Sequence, residues 1–175
     1  PGGRITESDL GLWSDECQAG LKELVDLMHE IEPACRVMVQ LNHAGRKASV
    51  TKPWDGVART VEPMDGGWPV RAPSAIPFNE RYTKPRVLSF EDCARVANAF
   101  GDAAKRAERA GVDGIEIHMA HGYLIHQFLS PLTNTRIDEY GGALENRMRF
   151  AREVMNSVKS NVSDKVAVGL RVSAT

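Results

Sequence analysis

The sequence predicts a parallel α/β fold, and three observations predict it. Short apolar runs alternate with amphipathic helical runs in the order α-β-loop-α-β-loop-α-β. The short runs lack the in–out alternation of a half-exposed strand, as expected of strands covered on both faces. The polar residues gather just after those runs, where parallel α/β proteins build their sites.

Residues 14–31 read as the first helix. Ser14 is placed as its N-cap, Asp15 and Glu16 suit the positive end of the dipole, and Leu21, Leu24, Val25, Met28 and Ile31 form one apolar stripe before Pro33 stops the run. Residues 37–41 (VMVQL) follow as a buried strand. Residues 42–88 are rich in Pro, Gly, Trp and Arg and have no period, and a loop of that length inside a domain is usually functional. Ser89 and Asp92 make a capping box for a second helix, whose face carries Val96, Phe100, Ala103, Ala104, Ala107 and Ala110 and which Gly111 ends. Small residues there allow close approach to a sheet. Residues 112–119 form the second strand, 120–142 a second long loop, 143–160 a third helix with Ala151, Val154, Met155 and Val158 inward, and 166–172 the third strand.

Composition narrows the function classes. The 175 residues are 42% hydrophobic and 26% charged, with a formal net charge of -1, which is ordinary for a soluble globular protein. There is no basic field for nucleic acid or an anionic membrane and no apolar run near a span's length. A small-molecule substrate is the expected partner, and a homo-oligomer is left open. The chain begins at Pro1 and stops just after a strand-like run, so both ends look truncated. Cys17, Cys35 and Cys93 are odd in number and form no C-x-x-C, which argues against a disulfide framework or zinc site and favours a reducing, cytoplasmic compartment. All three are expected to be buried small apolar residues.

The strand ends hold the candidate chemistry. The first strand leads into Gln40, Asn42, His43, Arg46 and Lys47, the second into His118, His121 and Tyr123, the third into Arg171 and Ser173. Two imidazoles can jointly donate to one substrate oxygen, and a phenol beside them suits general acid work. A structural pair of histidines and a metal site with His126 or Glu116 as third ligand are the alternatives, although no H-E-x-x-H is present. Gln40 offers a mixed donor and acceptor for the edge of a flat heterocycle, or else a bond to loop backbone. Arg171 is a fixed cation that can neutralise a reduced ring, or else the ion-pair partner of an Asp or Glu of the barrel. Arg136, Asp138, Glu139, Glu145, Asn146 and Arg147 read as a structural charge network.

Together these segments resemble the old yellow enzyme family of FMN-dependent oxidoreductases. The run AGVDGIEIHMAHGYLIHQFLSPLTNTRIDEYGGALENRMRF (Ala110 to Phe150) is similar to the family's signature region. GRITESDLGLWSDE (Gly3 to Glu16), VQLNHAGRKAS (Val39 to Ser49), APSAIPF (Ala72 to Phe78) and GLRVSA (Gly169 to Ala174) add matches in the right order, and HAGRKAS with HMAH looks most like the bacterial ene-reductase and xenobiotic-reductase branch. The resemblance implies a partial (β/α)8 TIM barrel, with strands about 3–5 of eight. Residues 1–175 would then be a fragment of one FMN-binding domain, with family phosphate contacts on later strands. It implies FMN as cofactor, NADH or NADPH as reductant, and Gln40 and Arg171 as flavin-binding residues. It also implies that His118 and His121 grip the substrate oxygen and that Tyr123 protonates the α-carbon as hydride reaches the β-carbon of an activated alkene. Where some members have asparagine, this sequence has His121. Larger relatives, acting on dienoyl thioesters or amines, carry an iron–sulfur cluster beyond the barrel.

Overall fold

The computed structural model describes residues 1–174. Helix α1 (Asp15–Ile31) leads to strand β1 (Met38–Leu41), followed by a long excursion that contains the two-residue strands β2 (Arg71–Ala72) and β3 (Arg86–Val87). Helix α2 (Phe90–Arg109), strand β4 (Gly114–Met119), helices α3 (Leu124–Leu129), α4 (Leu144–Arg147) and α5 (Arg149–Ser160), and strand β5 (Ala167–Val172) complete the order. β1, β4 and β5 form one parallel sheet in the order β1-β4-β5. Sequential strands that neighbour each other across helical crossovers are consecutive units of a (β/α)8 barrel, as the sequence predicts.

β4 is the centre of the sheet, and its side chains divide by the period of two. Ile115, Ile117 and Met119 join the main core with Phe100, Ala104 and Ala107 of α2 and Phe150, Val154 and Val158 of α5. Glu116 and His118 therefore point to the opposite, inner face. α2 lies close against α5 because its contact face is small: a Cβ on Gly101 would sit 2.4 Å from Ser157 Oγ. The predicted capping box is present, with Asp92 N–H donating to Ser89 Oγ and Ser89 N–H donating to Asp92. Asp92 also accepts from Arg71 at 2.7 Å, which ties the helix start to β2.

Several local expectations need correction. The third helix is two pieces that meet at Met148, although the hydrogen-bond ladder continues from Arg152 N–H to the Met148 carbonyl. The loop 120–142 contains α3, and the loop 42–88 holds three 3-10 turns besides β2 and β3. The stripe on α1 is mostly unburied: only Val25 is covered, while Ile31 is 74% exposed. Leu21 of the same stripe is half-buried against the main core. Cys93 is buried, but Cys17 and Cys35 are only half-buried. The charge network forms around Arg136, which chelates Asp138 and donates to the Leu88 carbonyl at 2.6 Å. Glu145 pairs with Arg152, and Arg147 donates to the Leu129 carbonyl.

Candidate active site

The inner face of the sheet is polar at its carboxyl end. Register sets Gln40 beside Glu116 and His118 beside Arg171. Beyond β4 the chain turns at once: His121 and Gly122 have φ of 56° and 72°, in the left-handed region. That turn brings His121 and Tyr123 back against His118. The His118 ring lies 4.9 Å from that of His121 and 5.1 Å from that of Tyr123, both edge to face. The three predicted residues form one cluster.

The cluster is anchored from below and beside it. His118 is 3% exposed, and its Nδ1 accepts a long bond from Ala120 N–H at 3.4 Å. The other nitrogen, Nε2, is then the one that carries the proton in the neutral ring. Burial pushes the imidazole below the ordinary histidine range, and His121 and Arg171 push it the same way, so neutral is the resting state. Tyr123 is half-buried, and burial, followed by the Asp9 and Tyr82 charges, raises its phenol. The phenol thus holds its proton at neutral pH.

The excursion after β1 supplies a second set of restraints that sequence reasoning missed. Buried Gln127 of α3 donates to the carbonyls of Gly122 at 2.7 Å and Ala44 at 3.2 Å and accepts from Arg46 N–H at 3.1 Å. This one amide joins the 44–46 segment to the turn that carries His121. Gly45 is required beside it: its φ is +60°, and a Cβ would lie 2.3 Å from Gln127 Oε1. Leu124 N–H donates to the His43 carbonyl at 2.9 Å, fixing the start of α3 next to Tyr123. Lys47, to which the sequence assigned no role, donates from Nζ to the His121 carbonyl at 3.1 Å. Its ammonium lies 4.7 Å from the Phe78 ring centre and 4.9 Å from that of Tyr123. Arg46 donates to the Pro77 carbonyl at 3.2 Å. A polar residue inside the apolar run of α3 is the one sequence signal that points to Gln127.

Among the described residues, neither Gln40 nor Arg171 makes the alternative contact. Gln40 bonds the Glu116 side chain rather than loop backbone. Arg171 is exposed and takes no part in an ion pair among the described residues. A free guanidinium and an amide on one open polar face fit the edge of a flat ring with mixed donors and acceptors and a tendency to negative charge. No group of three His, Cys, Asp or Glu is disposed to hold a metal among the described residues. His126 Nδ1 instead accepts from Gly122 N–H at 2.9 Å. Nor does any described helix have the length and apolarity to cross a membrane.

Parallel βα units with a polar cluster at the strand ends define a barrel-type α/β protein. The chain belongs to the NADH:flavin oxidoreductase / NADH oxidase family, whose profile matches residues 1–175, and hence to the old yellow enzymes. It is 44% identical over 99% of its length to an NADH:flavin oxidoreductase of Gibberella zeae, covering 42% of that protein. It is 45% identical over 99% of its length to an NADPH dehydrogenase of Clostridium acetobutylicum, covering 46% of it. The chain therefore spans less than half the length of these curated relatives. Morphinone reductase superposes with a TM-score of 0.73 at 32% identity, over 91% of this chain and 44% of that one. Histamine dehydrogenase from Rhizobium sp. 4-9 gives 0.76 at 35%, over 92% of this chain and 23% of that one, and 2-naphthoyl-CoA reductase gives 0.80 at 28%, over 97% and 25%.

Proposed function

We propose that the protein is an NAD(P)H-dependent FMN oxidoreductase that reduces the activated C=C bond of α,β-unsaturated carbonyl and related compounds. The observation that carries this reading is the packed cluster of His118, His121 and Tyr123 at the end of β4. FMN, when bound, supplies the hydride that it has taken from NAD(P)H. Everything else falls to the side chains. His118 Nε2–H and the His121 ring hold the substrate oxygen, and they hold it more tightly as it gains enolate charge. Because the neutral form of His118 is favoured, this is hydrogen-bond donation from an imidazole rather than an ion pair. Tyr123, kept protonated, gives its proton to the α-carbon. Arg171 offers a fixed positive charge and Gln40 an amide to the flavin edge. The 175 residues are read as part of one barrel domain in a cytoplasmic enzyme.

The test is Tyr123→Phe in the full-length protein. Alkene reduction should slow while flavin reduction by NAD(P)H is spared. Equal loss in both half-reactions would remove the acid role. A second reading, a larger dienoyl-thioester reductase or amine dehydrogenase with an iron–sulfur cluster, is supported by the superpositions on 2-naphthoyl-CoA reductase and histamine dehydrogenase. A cysteine cluster downstream of the barrel in the same reading frame would favour it.

A further inference from the structure

Gln40 is ambiguous by its chemistry: a primary amide presents either an N–H or a carbonyl oxygen, and nothing in the side chain itself decides which. Its neighbour removes the ambiguity. Glu116 stands directly opposite on β4, and Gln40 Nε2 donates to Glu116 Oε1. An ionised carboxylate only accepts, so the amide nitrogen must face it and the amide oxygen must face away. On the far side of Glu116, register places Gly169 of β5, and a Cβ built there would meet nothing within 4 Å. Gln40 is the hydrogen-bond partner of the Glu116 carboxylate among the described residues, and no salt bridge competes for it.

We propose that Glu116 is the positioning residue for Gln40: by taking the amide N–H, it presents the Gln40 carbonyl oxygen to the site as a fixed acceptor. The inference rests on the flavin reading and deepens it. The pyrimidine edge of a flavin carries two carbonyl acceptors and one N–H donor, at N3. A fixed acceptor in Gln40 therefore pairs with the N3–H, and the second N–H of the same amide is left for a neighbouring carbonyl. Glu116 itself touches neither cofactor nor substrate in this scheme.

The experiment uses the full-length protein stripped of flavin and compares the binding of FMN with that of N3-methyl-FMN by quenching of flavin fluorescence. The wild type should prefer FMN by about tenfold or more, the cost of leaving a polar acceptor unmatched. In Glu116→Gln the neighbour can also donate, Gln40 can turn over, and the preference should fall to within about threefold. Gln40→Leu should abolish the preference and marks the baseline. Should Glu116→Gln fold poorly, Glu116→Ala frees the amide in the same way and must give the same loss. A wild type that prefers FMN and variants of Glu116 that keep the preference intact would overturn the positioning role. A wild type without preference would overturn it also. A wild type that binds neither flavin would instead overturn the flavin reading on which the role depends.

Discussion

The two flanks of the site are built differently. On one, His118, His121 and Tyr123 are held by Gln127, Lys47, the left-handed turn and the His43 carbonyl, all within residues 43–127. On the other, Arg171 stands exposed at the end of β5, with Leu170 and Val172 beside it 46% and 58% exposed. The comparison separates two tasks. In the proposed reaction, gripping an acceptor oxygen needs atoms placed to a fraction of an ångström, and the network round Gln127 holds the cluster locally. Embracing a cofactor needs surface from many strands, of which β5 with Arg171 is one.

Four measurements test that contrast. The largest effect is expected from Tyr123→Phe, which should cost alkene reduction about 10²–10⁴-fold in kcat and leave reduction by NAD(P)H within about twofold, seen by stopped-flow of the two half-reactions. Next, residues 1–175 expressed alone should bind FMN at least about a hundredfold more weakly than the full-length protein, as loss of two charge-assisted hydrogen bonds would give. A soluble, flavin-coloured preparation of that span would collapse the distinction between the flanks. Third, Gly45→Ala should destabilise the fold by about 2 kcal/mol or more in denaturant titration, through its positive φ and its collision with Gln127. If the change proves neutral, the Gln127 network is not what holds the cluster.

The smallest effect concerns pH. Burial, with positive charge nearby that includes Arg71, lowers the His43 imidazole to about 4. The unfolded chain then binds the extra proton, so the contribution is complete above the ordinary value of 6.5 and is lost as pH falls from there towards 4. The loss should be about 1–2 kcal/mol, less than the full shift implies because the ring is half-buried. Urea midpoints at pH 7.5 and 4.5 should differ for the wild type and converge for His43→Asn. Equal slopes in both would show that His43 carries none of it.

The sequence read the rigid parts of the molecule well and the connecting parts poorly, for physical reasons. Strands and long helices announce themselves by local period, so the sequence places β1, β4, β5, α1 and α2 to within two residues. α3 has six residues and a glutamine in its middle, too short and too mixed for a period to emerge. The stripe on α1 has helical spacing, but burial depends on what lies opposite, which a pattern does not contain. The histidines and the tyrosine were legible because they lie within six residues. The contacts of Gln127 with Ala44 and Arg46, of Lys47 with His121 and of Glu116 with Gln40 are not, because they join residues 74 to 83 positions apart in the chain.

The left-handed backbone at His121 sets a narrow vocabulary for that position. Of the residues that adopt φ near 56° without help from a missing Cβ, asparagine, aspartate and histidine are the common ones. Of these, only asparagine and neutral histidine can donate a hydrogen bond at neutral pH. An exchange between the two needs no movement of the main chain and keeps the donor. The turn, with Lys47 holding its carbonyl, thus narrows that position to two donor side chains.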